Sequence, residues 1–348
     1  MMMYSFRNDY SEGAHPSVMA ALEKTNMVQT VGYGTDPFCE EARELIREKC
    51  AAPNADVHFL MGGTQVNLLA CAAFLRPFEA VISPCSGHPL VHETGALEAT
   101  GHMVIPVPSE DGKLRPEQVR TLCTAHSGEH MVRPRLVYIS NATELGTAYT
   151  KEELSALHNV CKELNLYIYA DGARMGNGMV SDSAPLTFED LTETLDAFTI
   201  GGTKNGLLLG EALVITNPAL KADFRSHMKQ RGAMMAKGRV LGIQFKTILE
   251  NDQYLENARH ANRLAQKMQA DIEALGYSFL IKSPTNQIFP IFPNTVLAEL
   301  EKLYAYEVQQ IIDDTHTCIR LVTSWATPEE VIPAFAKDLA EITEKCSI

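Results

Sequence analysis

Short apolar segments recur along the first two thirds of the chain and predict buried β-strands. They contain few polar residues, which is typical of strands covered on both faces of a sheet. A helical pattern separates several of them, most clearly where Thr150 and Glu153 have the spacing of a capping box. The alternation predicts an α/β fold with a mostly parallel sheet. Its seven predicted strands are 57–61, 79–83, 103–107, 135–140, 166–170, 197–200 and 212–216.

The pattern changes after Val240. A long helical stretch over 242–276 leads into predicted strands near 278–283, 287–292 and 318–324, and a last helix is predicted from about Pro328. Strands that follow one another between helices indicate a smaller α+β domain. The sequence therefore predicts three parts: an N-terminal arm (1–15), a large domain (16–245) and a small C-terminal domain (246–348).

Composition excludes two classes of partner. The chain has 348 residues and a formal net charge of −13, whereas nucleic acids and anionic membranes reward clustered Lys and Arg. No apolar run approaches the ~20 residues of a membrane span, and the polar N-terminus predicts no targeting segment. The eight cysteines form no CxxC pair and are predicted to be reduced core thiols of a cytoplasmic protein. A small-molecule ligand is expected.

Residues that could bind a ligand or take part in catalysis follow three of the predicted strands directly. After 57–61 comes "GGT" at 62–64, then an apolar helix whose start offers free N–H groups and a positive dipole end to an anion. After 166–170 come Asp171 and Arg174. After 197–200 comes "GGTK", which ends in Lys204. Ligands of open α/β sheets bind at the carboxyl ends of the strands, so these three groups are expected in one crevice.

Each strand end also has a simpler explanation: a plain turn, an Asp171–Arg174 ion pair or helix cap, and a surface lysine. One ligand, however, uses all three groups. Pyridoxal 5′-phosphate (PLP) has a phosphate, a pyridine nitrogen that is an electron sink when kept protonated, and an aldehyde that a lysine captures as a Schiff base. The sequence therefore predicts PLP as the cofactor, with Lys204 as its covalent ligand.

Five motifs carry a more specific resemblance: "FRNDYSEGAHP", "GGTQVN", "SNATELGTAYTKEEL", "YADGARMGNG" and "GGTKNG". Together they resemble the low-specificity L-threonine aldolase family, among the β-eliminating lyases with the aspartate-aminotransferase fold. The resemblance covers nearly the whole chain. It implies a three-layer α/β/α fold of PLP fold type I, and an enzyme that cleaves L-threonine, L-allo-threonine or related β-hydroxy-α-amino acids to glycine and an aldehyde by retro-aldol chemistry. The alternative is β-elimination or transamination on the same scaffold, which uses the same lysine and aspartate.

The resemblance also assigns roles to individual residues. It implies that Lys204 forms the Schiff base, that Asp171 pairs with the pyridine nitrogen, and that His88, with Glu93 five residues later, stacks on the ring. The expected catalytic side chains are Lys204, His88 and Asp171. A homodimer or homotetramer with sites at the subunit interface is implied too. The expected cofactor contacts are Gly63, Thr64, His88, Asp171, Arg174, Thr203, Lys204 and, from a neighbouring subunit, Lys237. The expected substrate contacts are Asn8, Arg174 and Arg320.

Two positions depart from the family pattern. Asn8 replaces a serine that contacts the substrate carboxylate, a mild change because an amide also donates. Thr143 replaces a histidine near the substrate hydroxyl, and a threonine does not act as a base at ordinary pH. His88, a water or the cofactor phosphate would then take the hydroxyl proton.

The spacing of His88 and His92 raises a metal site as a rival interpretation. Two histidines four apart on a helix face are typical of zinc pairs. Pro89 follows the first histidine, Glu93 lies outside the pair, and the sequence offers no third ligand. No metal is expected.

Overall fold

The structure, a computed structural model, describes residues 3–346. Residues 1–2 and 347–348, which the predicted arm and small domain include, lie outside the described residues. The first part of the chain contains β1 (Tyr4–Ser5), α1 (Pro16–Thr25), α2 (Pro37–Lys49), β2 (Asp56–Leu60), α3 (Gly63–Phe74), β3 (Glu79–Pro84), α4 (His88–Val91), β4 (Val104–Val107), α5 (Pro116–Ala125), β5 (Arg133–Ser140), α6 (Lys151–Glu163), β6 (Tyr167–Asp171), α7 (Met175–Met179), α8 (Phe188–Thr194), β7 (Ala197–Gly201), β8 (Glu211–Ile215), α9 (Phe224–Gln230) and α10 (Arg239–Glu250). The rest contains α11 (Gln253–Ala274), β9 (Ser278–Phe279), β10 (Gln287–Ile288), β11 (Pro290–Pro293), α12 (Asn294–Leu300), β12 (Tyr304–Ala305), β13 (Glu307–Ile311), β14 (His316–Val322) and α13 (Val331–Cys346).

The large sheet contains the seven predicted strands in the order β2-β8-β7-β6-β5-β3-β4. Only β8 runs antiparallel to its neighbours β2 and β7, and the other pairs are parallel. Ser140 and Asp171, the last residues of β5 and β6, lie opposite each other in the register. The predicted mostly parallel sheet is confirmed, and it brings the ends of β5, β6 and β7 to one edge.

The sheet is covered on both faces. Along a strand, successive side chains point to opposite faces. Val137 and Ile139 accordingly belong to one buried cluster together with residues of α2, α6 and α10, whereas Leu136 and Tyr138 belong to another together with residues of α3 and α9. The predicted three-layer α/β/α arrangement is confirmed.

A smaller antiparallel sheet follows, in the order β10-β14-β11-β9, with β13 paired to β14. It shares a third apolar cluster with α11 and α13, and Phe6, which is fully buried, packs into that cluster. The strand β1 pairs in parallel with β12, and Phe6 N–H donates to Ala305 O at 2.8 Å. The N-terminal segment is thereby fixed against the C-terminal part of the chain.

The C-terminal part differs from the sequence pattern at two places. The continuous helix predicted over 242–276 is divided between α10 and α11, because Asp252 adopts a left-handed conformation with φ of 57°, which Asp tolerates better than most residues. The strand β13 was missed because all five of its residues are exposed, so it has no alternating apolar pattern. The predicted division at 245/246 falls inside α10 and stays a prediction.

Two further expectations concern the burial of the cysteines and the absence of a membrane-spanning helix. All eight cysteines are free and most are buried, but Cys85 is exposed, so the interpretation as a core thiol is wrong for that residue. Among residues 3–346, no helix combines the length and apolar character that crossing a membrane requires.

Candidate active site

Two adjoining cavities open at the carboxyl edge of the large sheet. The inner cavity has a volume of about 330 Å³, and the outer cavity, beside the small sheet, has a volume of about 670 Å³. Of the described residues, those that line both are Tyr10, His88, Glu144, Arg174 and Lys204. The inner cavity is also lined by Gly63, Thr64, Ser140, Asp171, Thr203 and Glu211, and the outer one by Asn8, His92, Gln287 and Arg320.

Asp171 lies at the base of the inner cavity and is held by hydrogen bonds on both oxygens. Oδ2 accepts from Asn67 Nδ2 at 2.9 Å and from the Tyr138 hydroxyl at 2.8 Å, and Oδ1 accepts from Ala173 N–H at 2.9 Å. Burial alone would raise the pKa of this carboxyl, but the donors, led by Asn67, lower it below its ordinary value. Asp171 is therefore a fixed negative charge in a buried site.

Lys204 is placed by a tight turn between β7 and β8. Gly202 and Thr203 donate their N–H groups to Gly210 O at 2.9 and 3.1 Å, and Gly210 N–H donates to Thr203 Oγ1 at 3.0 Å. Burial, and next the positive charge of Arg174, lower the pKa of the Lys204 amine. A lowered pKa increases the share of neutral, nucleophilic amine at neutral pH.

Glu211, the first residue of β8, also lines the inner cavity and was missed by the sequence reasoning. Burial raises its pKa to about 8, and the negative charge of Asp171 adds to this shift. A single acidic residue at the start of the apolar segment "EALVIT" was the available signal, since a charge inside such a segment requires a polar environment.

The helix α3 begins at the inner cavity. Gly62 precedes it with φ of −169°, and neither Gly62 nor Gly63 has a positive φ. A Cβ atom at either position would meet no atom of the described chain within 4 Å. The two glycines are thus not required by a left-handed turn; they leave open space beside the free N–H groups of the first helical turn.

His88 begins α4 and belongs to a polar network with Glu93. Its Nδ1 lies 2.7 Å from Glu93 Oε1, and Asn67 Nδ2 donates to that same oxygen at 2.7 Å as well as to Asp171. The ligand atoms of His88, Glu93 and Asp171 all lie within 4.8 Å of one another. His92, the other member of the predicted pair, does not belong to this group. Asn67 thus connects Asp171 to Glu93, and Glu93 in turn holds the His88 imidazole ring at the cavity.

The two arginines have different environments. Arg174 donates through Nε and Nη2 to the two carboxylate oxygens of Asp9 at 2.7 and 2.9 Å; the local pair with Asp171 is not formed. Arg320, in β14, donates through Nη2 to Arg7 O at 3.3 Å, while its buried Nε has no partner among the described residues. Burial, and next the charge of Arg174, lower the pKa of Arg320. Both guanidinium groups border the outer cavity with hydrogen-bonding capacity to spare.

Three other residues singled out by the sequence, Asn8, Thr143 and Lys237, lie in different surroundings. Asn8 borders the outer cavity, and its Oδ1 accepts from Tyr10 N–H at 3.0 Å and from Ser11 Oγ at 2.9 Å. Thr143 lies in a buried hydroxyl pair, with Oγ1 2.7 Å from Thr147 Oγ1, and lines neither cavity. Lys237 is exposed in the loop between α9 and α10 and lines neither cavity of its own chain.

The fold is that of the aspartate aminotransferase class of PLP-dependent enzymes. The structure matches Thermus thermophilus aspartate aminotransferase with a TM-score of 0.71 and 17% identity, over 98% of this chain and 91% of that chain. It matches a Leishmania major threonine aldolase with a TM-score of 0.97 and 46% identity, over 98% and 99% of the two chains. A low-specificity L-threonine aldolase of a Pseudomonas species is 31% identical over 97% of each chain.

The sequence profile of the beta-eliminating lyases matches residues 6–293. This chain belongs to the beta-eliminating lyase family, within its low-specificity L-threonine aldolases.

The cofactor of this class is PLP, and the residues of the inner cavity fit it. The space beside Gly62 and Gly63 adjoins a helix start that suits a phosphate. Asp171 is an ionised carboxylate suited to a protonated pyridine nitrogen, and Lys204 is an amine without a salt-bridge partner among the described residues. The donor set therefore matches the phosphate, ring and aldehyde of PLP.

Proposed function

We propose that this protein is a PLP-dependent aldehyde-lyase that cleaves L-threonine, L-allo-threonine and related β-hydroxy-α-amino acids to glycine and an aldehyde. The observation that carries the proposal is the shared wall of the two cavities. Lys204 and Arg174 border both, with Asp171 on the inner side and Arg320 on the outer side. An amino acid in the outer cavity would thus present its Cα to the group that Lys204 holds. The names of the similar proteins support the same chemistry.

The residues of the inner cavity would hold the cofactor. Gly63 and Thr64 would offer N–H groups to its phosphate, Thr203 would add a hydroxyl group from the same cavity, and Lys204 Nζ would bind its aldehyde carbon. Asp171 keeps a proton on the pyridine nitrogen, because a buried cation is stabilised by an adjacent carboxylate. Bound PLP supplies an electron sink in conjugation with the substrate Cα.

The residues of the outer cavity would bind and orient the substrate. Arg320 and Arg174 suit the α-carboxylate, since a planar guanidinium bonds both carboxylate oxygens. Asp9 fixes the plane of the Arg174 guanidinium through its two hydrogen bonds. Asn8 adds an amide donor. This anchoring selects which Cα bond is broken, because it sets the orientation of the Cα substituents.

His88 would cover one face of the cofactor ring. Its Nδ1 is engaged by Glu93, which fixes the orientation of the imidazole as a carboxylate partner does in other catalytic histidines. The exchange His88→Phe keeps an aromatic ring but loses this bond. We expect the variant to retain PLP and to cleave more slowly.

We also propose a cytoplasmic homodimer or homotetramer. Eight free cysteines suit a reducing compartment, and Lys237, which is exposed in its own chain, would contact the phosphate in a neighbouring subunit. Sedimentation of the holoprotein measures the assembly. A Lys237→Ala variant that binds PLP with unchanged affinity would contradict the role of this lysine.

The identity of the products tests the proposed function. Purified protein is incubated with PLP and L-allo-threonine, and glycine, acetaldehyde, 2-oxobutanoate and ammonia are measured. Glycine and acetaldehyde in equal amounts are expected. Formation of 2-oxobutanoate and ammonia would instead show an eliminating lyase on the same fold, and amino-group transfer to a 2-oxo acid would show an aminotransferase.

A further inference from the structure

Glu144 follows β5 and stands at the boundary between the two cavities. Of the described residues that line both cavities, it alone carries a carboxyl group. Glu144 directly follows Thr143, and Thr143 occupies the position at which the family pattern has a histidine near the substrate hydroxyl. Thr143 itself is engaged with Thr147. The chain therefore places a carboxyl group, and not the threonine, at the junction of the cofactor and substrate cavities.

The two oxygens of Glu144 have unequal partners. Oε1 accepts from Ser140 Oγ at 2.7 Å and from His88 N–H at 3.0 Å. Oε2 is shielded from solvent and accepts no hydrogen bond from the residues that the structure describes. An unsatisfied buried acceptor is unfavourable, and rotation about the terminal torsion of a glutamate is soft. The carboxyl is thus anchored on one side and has acceptor capacity left for a ligand's hydroxyl group.

The other side chains that border both cavities are less suited to accept a proton. Arg174 is a guanidinium that pairs with Asp9, Lys204 is the amine assigned to the cofactor aldehyde, and the Tyr10 side chain is largely exposed. His88 is engaged through Nδ1 by Glu93 and would lie against the cofactor ring. Glu144 remains as the acceptor at the junction of the two cavities.

We propose that Glu144 is a catalytic residue that accepts the proton of the substrate β-hydroxyl group during carbon–carbon cleavage. This inference rests on the proposed function. The O–H electron pair becomes the second bond of the aldehyde C=O as the Cα–Cβ bond breaks, and the Cα–Cβ pair stays with the Cα of the nascent glycine. Glu144 later releases its proton to water, and Cα takes one from water, so that substrate yields glycine and aldehyde without another reactant.

The electrostatic environment agrees with this role. Burial raises the pKa of Glu144, and the charge of Asp171 adds to the shift, while the bond from Ser140 opposes it. The charged and titratable groups that face the carboxyl are Asp171 from β6, Tyr138 from β5 and His88 from α4, with Lys204, Arg174 and Tyr10 across the cavities. A raised pKa brings a carboxyl closer to the operating pH, which favours acid–base catalysis.

The exchange Glu144→Gln tests the proposal, with the exposed Glu110→Gln as matched control. We expect kcat/KM for L-allo-threonine to fall by about 10²–10⁴-fold and its acidic pH limb to disappear, while the visible absorption of bound PLP is unchanged. Exchange of the glycine α-hydrogen with deuterated water should persist, because it involves no hydroxyl proton. In the apoprotein, infrared titration should show a carboxyl band that is absent from Glu144→Gln. Glu110→Gln should match the wild type in every measurement.

A second variant separates catalysis from a structural role. Ser140→Ala removes a bond that lowers the pKa of Glu144, so the acidic limb of kcat/KM should move to higher pH. If Glu144→Gln loses PLP, an unmoved limb in Ser140→Ala overturns the proposal. Retention of the rate and the acidic limb by Glu144→Gln overturns it directly, as does loss of glycine exchange in step with cleavage. If the proposed function itself is wrong, the wild-type protein will release no aldehyde. This outcome is distinct from a failure of the role proposed for Glu144, in which the wild type releases aldehyde.

Discussion

The segments that follow β5 and β6 leave the sheet at the same edge, and each brings one carboxyl group to the inner cavity. Asp171 ends β6 and accepts three hydrogen bonds shared between its two oxygens. Glu144 lies four residues beyond the end of β5 and accepts two, both on one oxygen. Burial acts on both carboxyls, yet the pKa of Asp171 is lowered and that of Glu144 is raised.

The difference teaches that the number and placement of donors, and not burial alone, decide whether a buried carboxyl keeps its charge. Hydrogen bonds to both oxygens stabilise the ionised form of a carboxylate, whereas bonds to one oxygen only stabilise it less. Two acidic groups with pKa values pushed apart typically divide the roles of fixed charge and proton carrier. Asp171 is suited to the first role and Glu144 to the second.

The largest effect is expected from Lys204, the amine that both carboxyls face. Lys204→Ala should abolish turnover while the protein still folds, because the covalent attachment of the cofactor is lost. Borohydride reduction of the wild type followed by peptide mapping should place the pyridoxyl group on Lys204. The exposed Lys162→Ala serves as control and should remain active. A label on any other lysine would show that Lys204 is not the residue that binds the cofactor.

The next effect tests the fixed charge of Asp171. Asp171→Asn keeps the size of the side chain but removes the charge that stabilises a protonated ring nitrogen. The rate should fall by several orders of magnitude, and retention of PLP during dialysis should weaken. Steady-state kinetics and absorption spectra of the dialysed protein measure both. Near-normal turnover would reduce Asp171 to a structural group and remove the contrast with Glu144.

A smaller effect is expected from Arg320 on the substrate side. Loss of a guanidinium that binds the substrate carboxylate in a largely desolvated site should remove about 2–4 kcal/mol, or roughly 30- to 700-fold in kcat/KM. Arg320→Ala should leave the absorption of bound PLP unchanged. If the variant loses its cofactor instead, Arg320 holds phosphate, and the division between the inner and outer cavities is misplaced.

The smallest effect is expected from Asp9, which contacts neither proposed ligand. Asp9→Asn retains one bond to Arg174 but loses the charge, so we expect roughly tenfold lower kcat/KM, an effect of about 1.4 kcal/mol. The change should lie in KM more than in kcat, since Asp9 positions a binding group. Competitive inhibition by a carboxylate analogue of the substrate measures the binding step separately. An unchanged inhibition constant would mean that Arg174 needs no support.

The sequence contained enough information for the large sheet and for much of the site. Long apolar strands were visible because both faces are buried, and Asp171 and Lys204 follow their strands directly. Residues that directly follow parallel strands lie at the same edge of the sheet, and this does not depend on the rest of the fold. Their proximity was therefore predictable without coordinates.

Asp9, Asn67 and Glu144 were not predictable in the same way. Asp9 meets Arg174 across 165 residues of sequence, and Asn67 joins Glu93 to Asp171 from inside an apolar helix. Glu144 lies in a loop whose path decides which of two neighbouring residues reaches the cavity. Such contacts depend on tertiary packing, which the local pattern of the chain does not encode.

The docking of β1 links the assembly of the site to the order of synthesis. Phe6 accepts a hydrogen bond from Val322 N–H, so the N-terminal segment cannot take its place before nearly the whole chain has left the ribosome. Closing a loop of this length is slow compared with forming the local helices. Asn8 and Asp9 are therefore made first and fixed among the last. Residues fused ahead of β1, such as a purification tag, would be joined close in sequence to Arg7 and Asn8, which border the outer cavity, and a tag that follows α13 is the safer choice for measuring activity.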